Sequence, residues 1–440
     1  MEAEICALAP SDWQIRSVED VCKRVTSGGT PSRTRPDFYV DGSWPWVKTQ
    51  ELQDTWIDHT EEKITDEAVA NSSAKVLPPN TILLAMYGAT VGQLGILRSP
   101  MTCNQACCAM IVDSDKADFR YLYHHLRYSR TQLKSLATGA AQQNLSGALI
   151  KSLLYPFPPL AEQKAIAAVL GALDDKIELN RRMNATLEAM ARALFQSWFV
   201  DFDPVRAKLD GRKPIGLDET TAALFPDLFQ ESSLGHIPKG WKAQRLPDAI
   251  EVNPRRTLKG GTIAPYLDMK NLPTQGHSAE EVIDREFTSG TKFQNGDTLL
   301  ARITPCLENG KTGYVDFLKD GQIGWGSTEY IILSPKPPLP PQFGYLLARS
   351  DALRTHAIQN MTGTSGRQRV PSECFSTFWL AVPPPDIARR FDQLTAPLML
   401  KIKANSAKSR TLATLRDTLL PKLLSGKLST TANLLASIKS

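Results

Sequence analysis

Asp37, Glu61 and Lys63 bring two carboxylates and an amine to the loose spacing with which nucleases hold Mg²⁺ and activate water. Solvated surface carboxylates give the same pattern in many charged chains, and that is the competing explanation here. The run Pro305-Cys306-Leu307-Glu308-Asn309-Gly310-Lys311-Thr312 ends like a phosphate-wrapping P-loop. Pro305, however, stands where the first glycine must let backbone N–H groups curl around phosphate. No HExxH, GxSxG or GxGxxG pattern occurs, nor an Asn-Pro-Pro-Tyr type motif of an adenine methyltransferase. The histidines, at 59, 124, 125, 236, 277 and 356, form no acid–base cluster in sequence. Cys103, Cys107 and Cys108 fall in a strand-like apolar run without a second CxxC or a nearby pair of histidines, which favours core packing over zinc. The expectation is a chain that binds rather than reacts, with no catalytic residue, metal or cofactor of its own.

What positions the binding groups is a repeat. At an offset near 220 to 228 residues, Pro10-x-x-Trp13 falls on Pro238-x-x-Trp241, Trp46 to Leu52 on Tyr266 to Leu272, and Lys176-Ile177 on Lys401-Ile402. A duplicated module of roughly 160 residues is far longer than a solenoid repeat, so each copy should be a domain with its own core. In the first copy Thr81 to Ala85 and Met110 to Val112 read as buried strands; Thr298 to Ala301 and Tyr330 to Leu333 take their places in the second. Different glycine-bearing turns follow, Tyr87 to Gly92 and Pro305 to Gly310, so the two copies are expected to recognise different things. Thr138-Gly139 and Thr362-Gly363 recur with Gln143 and Gln368 soon after, although a turn that needs positive φ explains the glycines by itself.

Each copy ends in a long helix pattern. Leu173, Ile177, Asn180, Asn184, Leu187, Ala191, Leu194 and Trp198 alternate four and three apart, the seam of a coiled coil. Leu398, Ile402, Asn405, Ser409, Leu412, Arg416, Leu419 and Leu423 repeat it. A buried Asn costs stability but can fix register, so Asn180 and Asn405 at matching places suit two helices of one chain packing together. The alternative is that each helix docks on its own domain. The seam implies a rod of roughly 40 Å, close to one turn of B-DNA. Trp198 and Phe199 either cap this coil or face another subunit. Pro158-Pro159 and Pro383-Pro384-Pro385 stop the preceding strands, and Glu162 and Asp386 sit near the positive ends of the helix dipoles. The expected boundaries are a first domain at 1–160, a helix at 161–200, a connection at 201–237, a second domain at 238–384 and a second helix at 385–440.

Composition bounds this loosely. A hydrophobic content of 42% with 22% charged residues is ordinary globular usage, and a net charge of +5 is compatible with nucleic acid without pointing to it. Seven cysteines, an odd number, argue for a reducing compartment, and no apolar run approaches a membrane span, so the expectation is a cytoplasmic protein.

Gly28-Gly29-Thr30-Pro31-Ser32, Trp46-Val47-Lys48-Thr49-x-x-Leu52, Thr138-Gly139-x-x-x-Gln143-Asn144-Leu145, Pro158-Pro159-Leu160-x-Glu162-Gln163 and Leu419 to Gly426 together resemble the specificity subunit of type I restriction-modification systems. The resemblance implies an α+β architecture of two α/β target-recognition domains separated by two long helices packed as an antiparallel coiled coil, with pseudo-two-fold internal symmetry. It implies that each domain reads one half of a split site in double-stranded DNA while the helices set the unspecified spacer. Two modification subunits bearing S-adenosylmethionine would dock on the helices, and ATP-driven, Mg²⁺-dependent restriction subunits would complete the assembly. The second copy departs from the pattern, with Asn253-Pro254-Arg255-Arg256 in place of the Gly-Gly-Thr-Pro-Ser turn and Ile387-Ala388 in place of Glu162-Gln163.

DNA binding needs cations for phosphates and bidentate groups for base edges. In the first domain the candidates are Thr30, Ser32, Arg33, Arg35, Lys48, Gln50, Gln142, Gln143 and Asn144. In the second they are Arg255, Arg256, Lys259, Lys270, Asn271, Arg302, Asn309, Lys311, Arg367, Gln368 and Arg369. The alternatives are a coiled-coil scaffold without DNA specificity and the Mg²⁺-dependent nuclease of Asp37, Glu61 and Lys63.

Overall fold

Alternating side chains of buried strands fill two separate apolar clusters in each copy, which is why the sequence there is continuously apolar. The computed structural model describes residues 9–138, 144–364 and 366–429, and the chain folds as two compact units. One is Met1–Glu178 with Ser409–Ser440, and the other is Leu179–Lys408.

In the first unit a five-stranded sheet runs in the order Cys22–Ser27, Cys107–Val112, Ile82–Ala85, Leu94–Leu97 and Thr55–Ile57. Ile82 and Leu84 face one cluster with Tyr121, Leu122 and Ile166, while Leu83 and Ala85 face another with Val47 and Leu52. Both faces are covered, so a period-2 alternation of polarity is absent. Cys107 and Cys108 are buried one on each face. A three-stranded sheet (Lys63–Ile64, Trp44–Val47, Thr102–Cys103) stands beside it. Gln14–Ser17 pairs antiparallel with Leu154–Phe157 and closes the module.

The second unit repeats this plan. Ile250–Val252, Tyr330–Pro335, Thr298–Ala301 and Thr312–Tyr314 form a four-stranded sheet. Leu300, Ile331 and Leu333 face one cluster, and Leu299, Ala301 and Ile332 the other. The small sheet is Ile283–Glu286, Ile263–Leu267, Gly324–Gly326 and Thr291–Phe293, and Lys242–Arg245 pairs with Trp379–Val382 as the closing ladder. Trp46-Val47 and Tyr266-Leu267, aligned in sequence, both pair in parallel with a neighbouring strand and both run into a single 3₁₀ turn.

Two long helices, Leu160–Phe195 and Pro385–Leu424, each contribute to both units. All sixteen seam residues are buried or half-buried. Within the first unit, Arg416 donates to Asp174 at 2.7 Å, and Leu420, Leu423 and Leu424 share a core with Ile166 and Leu170. Within the second, Asn184 meets Asn405, and Phe195 and Trp198 meet Phe391. In each unit the partner number falls as the first helix advances, so the contacting stretches run antiparallel. That direction corrects the expected Asn pairing: Asn405 donates its amide to Asn184 at 2.9 Å, one turn beyond Asn180. The first helix finishes in a π-helical turn, Gln196–Val200, that buries Trp198 and Phe199 against Phe225, Phe343, Phe391 and Trp241. Both rings therefore cap the packing inside the chain and are not free to face a partner.

The two Pro-x-x-Trp segments have one job. Trp13 packs in the core with Leu423 and Leu424 at the end of the second helix, and Gly426 comes so close that a Cβ there would lie 2.6 Å from Pro10. Trp241 receives Phe199 and Phe202 at the end of the first helix. The stretch 201–237 is itself structured, with helices Asp203–Leu209 and Glu219–Leu224 and the hairpin strands Phe229–Ser232 and Gly235–Pro238. Among the described residues no helix is long and apolar enough to cross a membrane.

Candidate nucleic-acid interface

Strand directions bring the candidate residues to one end of the main sheet in each unit. In the first, Cys22–Ser27 and Ile82–Ala85 both run antiparallel to Cys107–Val112, so the segments after Ser27 and after Ala85 emerge beside Cys107. Gly28 and Gly29 make the first exit possible by close approach rather than by positive φ. A Cβ on Gly28 would lie 2.1 Å from the Cys103 carbonyl oxygen, and one on Gly29 would lie 2.4 Å from the Ala74 nitrogen. The Trp46 indole N–H then donates to the Gly29 carbonyl at 3.0 Å, and the Tyr39 hydroxyl to that of Pro31 at 2.7 Å.

From this anchored turn Thr30, Ser32, Arg33 and Arg35 reach the surface. Thr30 bonds Gln105, and Ser32 bonds Thr34 at 2.8 Å. The Arg33 guanidinium lies 4.2 Å from the Tyr39 ring centroid and 5.1 Å from that of Trp46. It grips Glu62 with two N–H groups at 2.7 and 3.2 Å. Lys48 donates to Glu62 at 2.9 Å and to Glu61 at 2.6 Å. These cations, Arg33 first, hold the Glu62 carboxyl down at about 2, and the carboxylates in turn raise Arg33 and Lys48. Arg35 pairs with Asp37 at 2.6 Å and with Glu67 at 2.9 Å. Gln50 is exposed on the 3₁₀ turn Thr49–Glu51. Asn144 is exposed, and its backbone bridges Tyr87 in the glycine-bearing turn after Ala85. Gln142 and Gln143 lie outside the described residues.

In the second unit Ile250–Val252 and Thr298–Ala301 run toward the Tyr330 end of their shared neighbour. Arg255 and Lys259 are exposed on the segment after Val252, whereas Arg256 turns inward to buried Asp297, Nε to Oδ2 at 3.0 Å. Burial pushes the Asp297 carboxyl above its ordinary value, against the opposing pull of its bond from the Gln294 N–H and of Arg256. Arg302 follows Ala301, and the turn after it bridges Arg369, whose fork holds Glu329 at 2.8 to 3.0 Å. The Gln368 carbonyl accepts from the Thr304 N–H at 3.0 Å, while Arg367 is exposed. Gly363 has φ +121°, so its place in the turn needs a glycine with or without a ligand. Lys311, the lysine of the P-loop-like run, spends its ammonium on the carbonyls of Met269 and Lys270 at 2.8 and 2.9 Å. Lys270 and Asn309 are exposed and Asn271 half-buried.

Glu62 and Glu329 were not candidates, yet between them they hold three of the cations that were, Arg33, Lys48 and Arg369. Glu62 is adjacent in sequence to Glu61, but only the pairing of Trp44-Pro45 with Lys63-Ile64 carries its carboxylate to Arg33. The nuclease set does not assemble as three free groups: Asp37 is engaged by Arg35 and Glu61 by Lys48. Among the described residues no group of three His, Cys, Asp or Glu side chains could hold a metal. Arranged this way, both sheet ends offer exposed arginine, lysine and amide groups suited to an extended polyanion with hydrogen-bonding edges.

Comparison with known proteins agrees with that chemistry. Residues 10–189 match the family described as the type I restriction modification DNA specificity domain. The type I restriction enzyme MjaIX specificity subunit of Methanocaldococcus jannaschii is 27% identical over 435 residues, 95% of this chain and 94% of that one. The EcoKI specificity subunit of Escherichia coli is 22% identical over 95% of this chain and 90% of its own. In fold, the chain resembles the crystal structure of the type I restriction-modification S subunit from M. genitalium, with a TM-score of 0.52 at 17% identity, covering 93% of this chain and 96% of that one. Residues 10–189 thus match the type I restriction modification DNA specificity domain, and along nearly its whole length the chain is similar to type I specificity subunits.

Proposed function

We propose that this protein is the non-catalytic DNA sequence-recognition subunit of a type I restriction-modification complex in the cytoplasm. The observation that carries the proposal is the likeness to named specificity subunits over 95% of the chain. The internal duplication supports a split site: two units of one plan, with different exposed groups at equivalent sheet ends, suit two different half-sites in double-stranded DNA. The long helices set the unspecified spacer between the half-sites and dock two modification subunits, with restriction subunits completing the assembly. S-adenosylmethionine, ATP and Mg²⁺ belong to those partners.

Adenine-methylation mapping tests this in cells that express the chain with its neighbouring modification subunit, against cells lacking the chain. The expected result is a split motif that disappears in the control. A complex that assembles yet leaves no motif would favour a scaffold without DNA specificity.

A further inference from the structure

The cleft lined by Asn253, Arg256, Lys292, Arg302, Thr328 and Tyr330 in the second unit joins three cationic residues with an unmet hydrogen-bonding demand. Its volume is about 320 Å³, room for a phosphate group and several waters at roughly 30 Å³ per water. Arg256 is committed to Asp297. The Lys292 ammonium lies 5.0 Å from the Phe287 ring centroid, an attraction that holds its position without neutralising its charge. The Arg302 Nε is buried and has no hydrogen-bond partner among the described residues, and two positions on, the buried Thr304 hydroxyl has none either. A buried guanidinium N–H is unfavourable until something accepts from it. Among the described residues no carboxylate lines the cleft, so an anion entering it meets the charges of Arg302 and Lys292 without a competing acidic side chain in the lining.

We infer that this cleft seats a backbone phosphate of the DNA, with Arg302 as its donor and Lys292 as the second charge. The inference rests on the DNA-recognition proposal and deepens it. Arg302 is then a residue of affinity and register, not of sequence. Its placement in the turn that also bridges Arg369 would set where the remaining groups of that sheet end fall on the duplex.

The test uses the full complex with its modification subunits and two duplexes, one carrying the mapped split motif and one unrelated. Arg302→Gln is expected to weaken both by a similar factor, about ten-fold, and to lower the slope of log affinity against log salt by about one. Arg302→Lys should restore most of the slope, and Lys292→Gln should reproduce part of the loss if Arg302→Gln fails to fold. A loss confined to the motif duplex, with a changed methylated base pair, would overturn the phosphate seat in favour of base reading. Unchanged affinity and slope in both arginine variants would also overturn it. Saturable binding of inorganic phosphate that Arg302→Gln abolishes while both duplexes bind as before would mark a site for a free anion and equally overturn it. Equal binding of both duplexes by the wild type would defeat the recognition proposal instead, while the salt slope would still report on the seat.

Discussion

At the scale of single residues, acidic partners decide what the exposed cations can do. Arg33 is stacked on two rings and held flat by Glu62, an arrangement that fixes the plane of a guanidinium in advance of a bidentate contact. Arg33→Lys keeps the charge but loses the fork. It should therefore alter preference at one position of the first half-site, and a methylation map identical to the wild type would count against Arg33 as a reader. Glu62→Gln removes a charge that offsets two cations, so binding to unrelated duplex should tighten and its salt dependence steepen, as a filter-binding titration would show. The same variant has a pH signature. The Glu62 carboxyl is drawn down from an ordinary 4.5 to about 2, so its contribution to stability is complete above about 4.5 and disappears as pH falls through 2. Because the pair is partly exposed, that contribution should stay within about 1 kcal/mol. Denaturant titrations from pH 5 to 2 should show a correspondingly shallower acid loss in Glu62→Gln, and equal slopes would remove the ion pair from the account.

Among elements, the long helices do more than pair with each other. Buried Glu188 on the first helix accepts from the Tyr345 hydroxyl at 2.7 Å, and Arg349 backs that hydroxyl at 3.2 Å. Tyr345→Phe leaves a buried carboxylate short of one donor and should cost about 1.5–3 kcal/mol in chemical denaturation; a loss under 0.5 kcal/mol would mean that the carboxylate finds another donor. The seam and the central strands could be read in the sequence because their signal is periodic and local: every seam residue is at least half-buried, and the strand pairs Ile82–Ala85 with Cys107–Val112 and Thr298–Ala301 with Tyr330–Pro335 are adjacent in their sheets. The antiparallel register was not legible from the residues alone, because matching Asn residues suggest a pair at 180 and 405, whereas the direction of approach selects 184. Nor was the shared role of Trp13 and Trp241, each meeting a helix end far away in sequence. Of the candidate site, the loops were visible as turn and cation patterns, but which cations are already engaged depends on strand pairings that bring in carboxylates from elsewhere.

For the molecule as a whole, the duplication makes the proposed function separable into parts. Exchanging residues 238–384 for the equivalent domain of a relative with a different motif should change one half of the methylated sequence and leave the other half intact. Both halves changing together would mean that the copies do not read independently. In the proposed function the spacer belongs to the helices instead. A heptad returns the seam to the same face, so seven residues inserted at matching depth into both helices preserve the alternation of four and three on which the packing depends. At 1.5 Å per residue the insertion adds roughly 10 Å, which against 3.4 Å per base-pair step is about three base pairs. Methylation mapping of that variant should therefore return the same two half-sites with a spacer about three base pairs longer. Inserting seven residues into one helix alone breaks the match between Asn184 and Asn405 and should lower stability without yielding a new spacer. If the double insertion folds, assembles and still methylates the original spacing, the helices hold the domains together but do not measure the site.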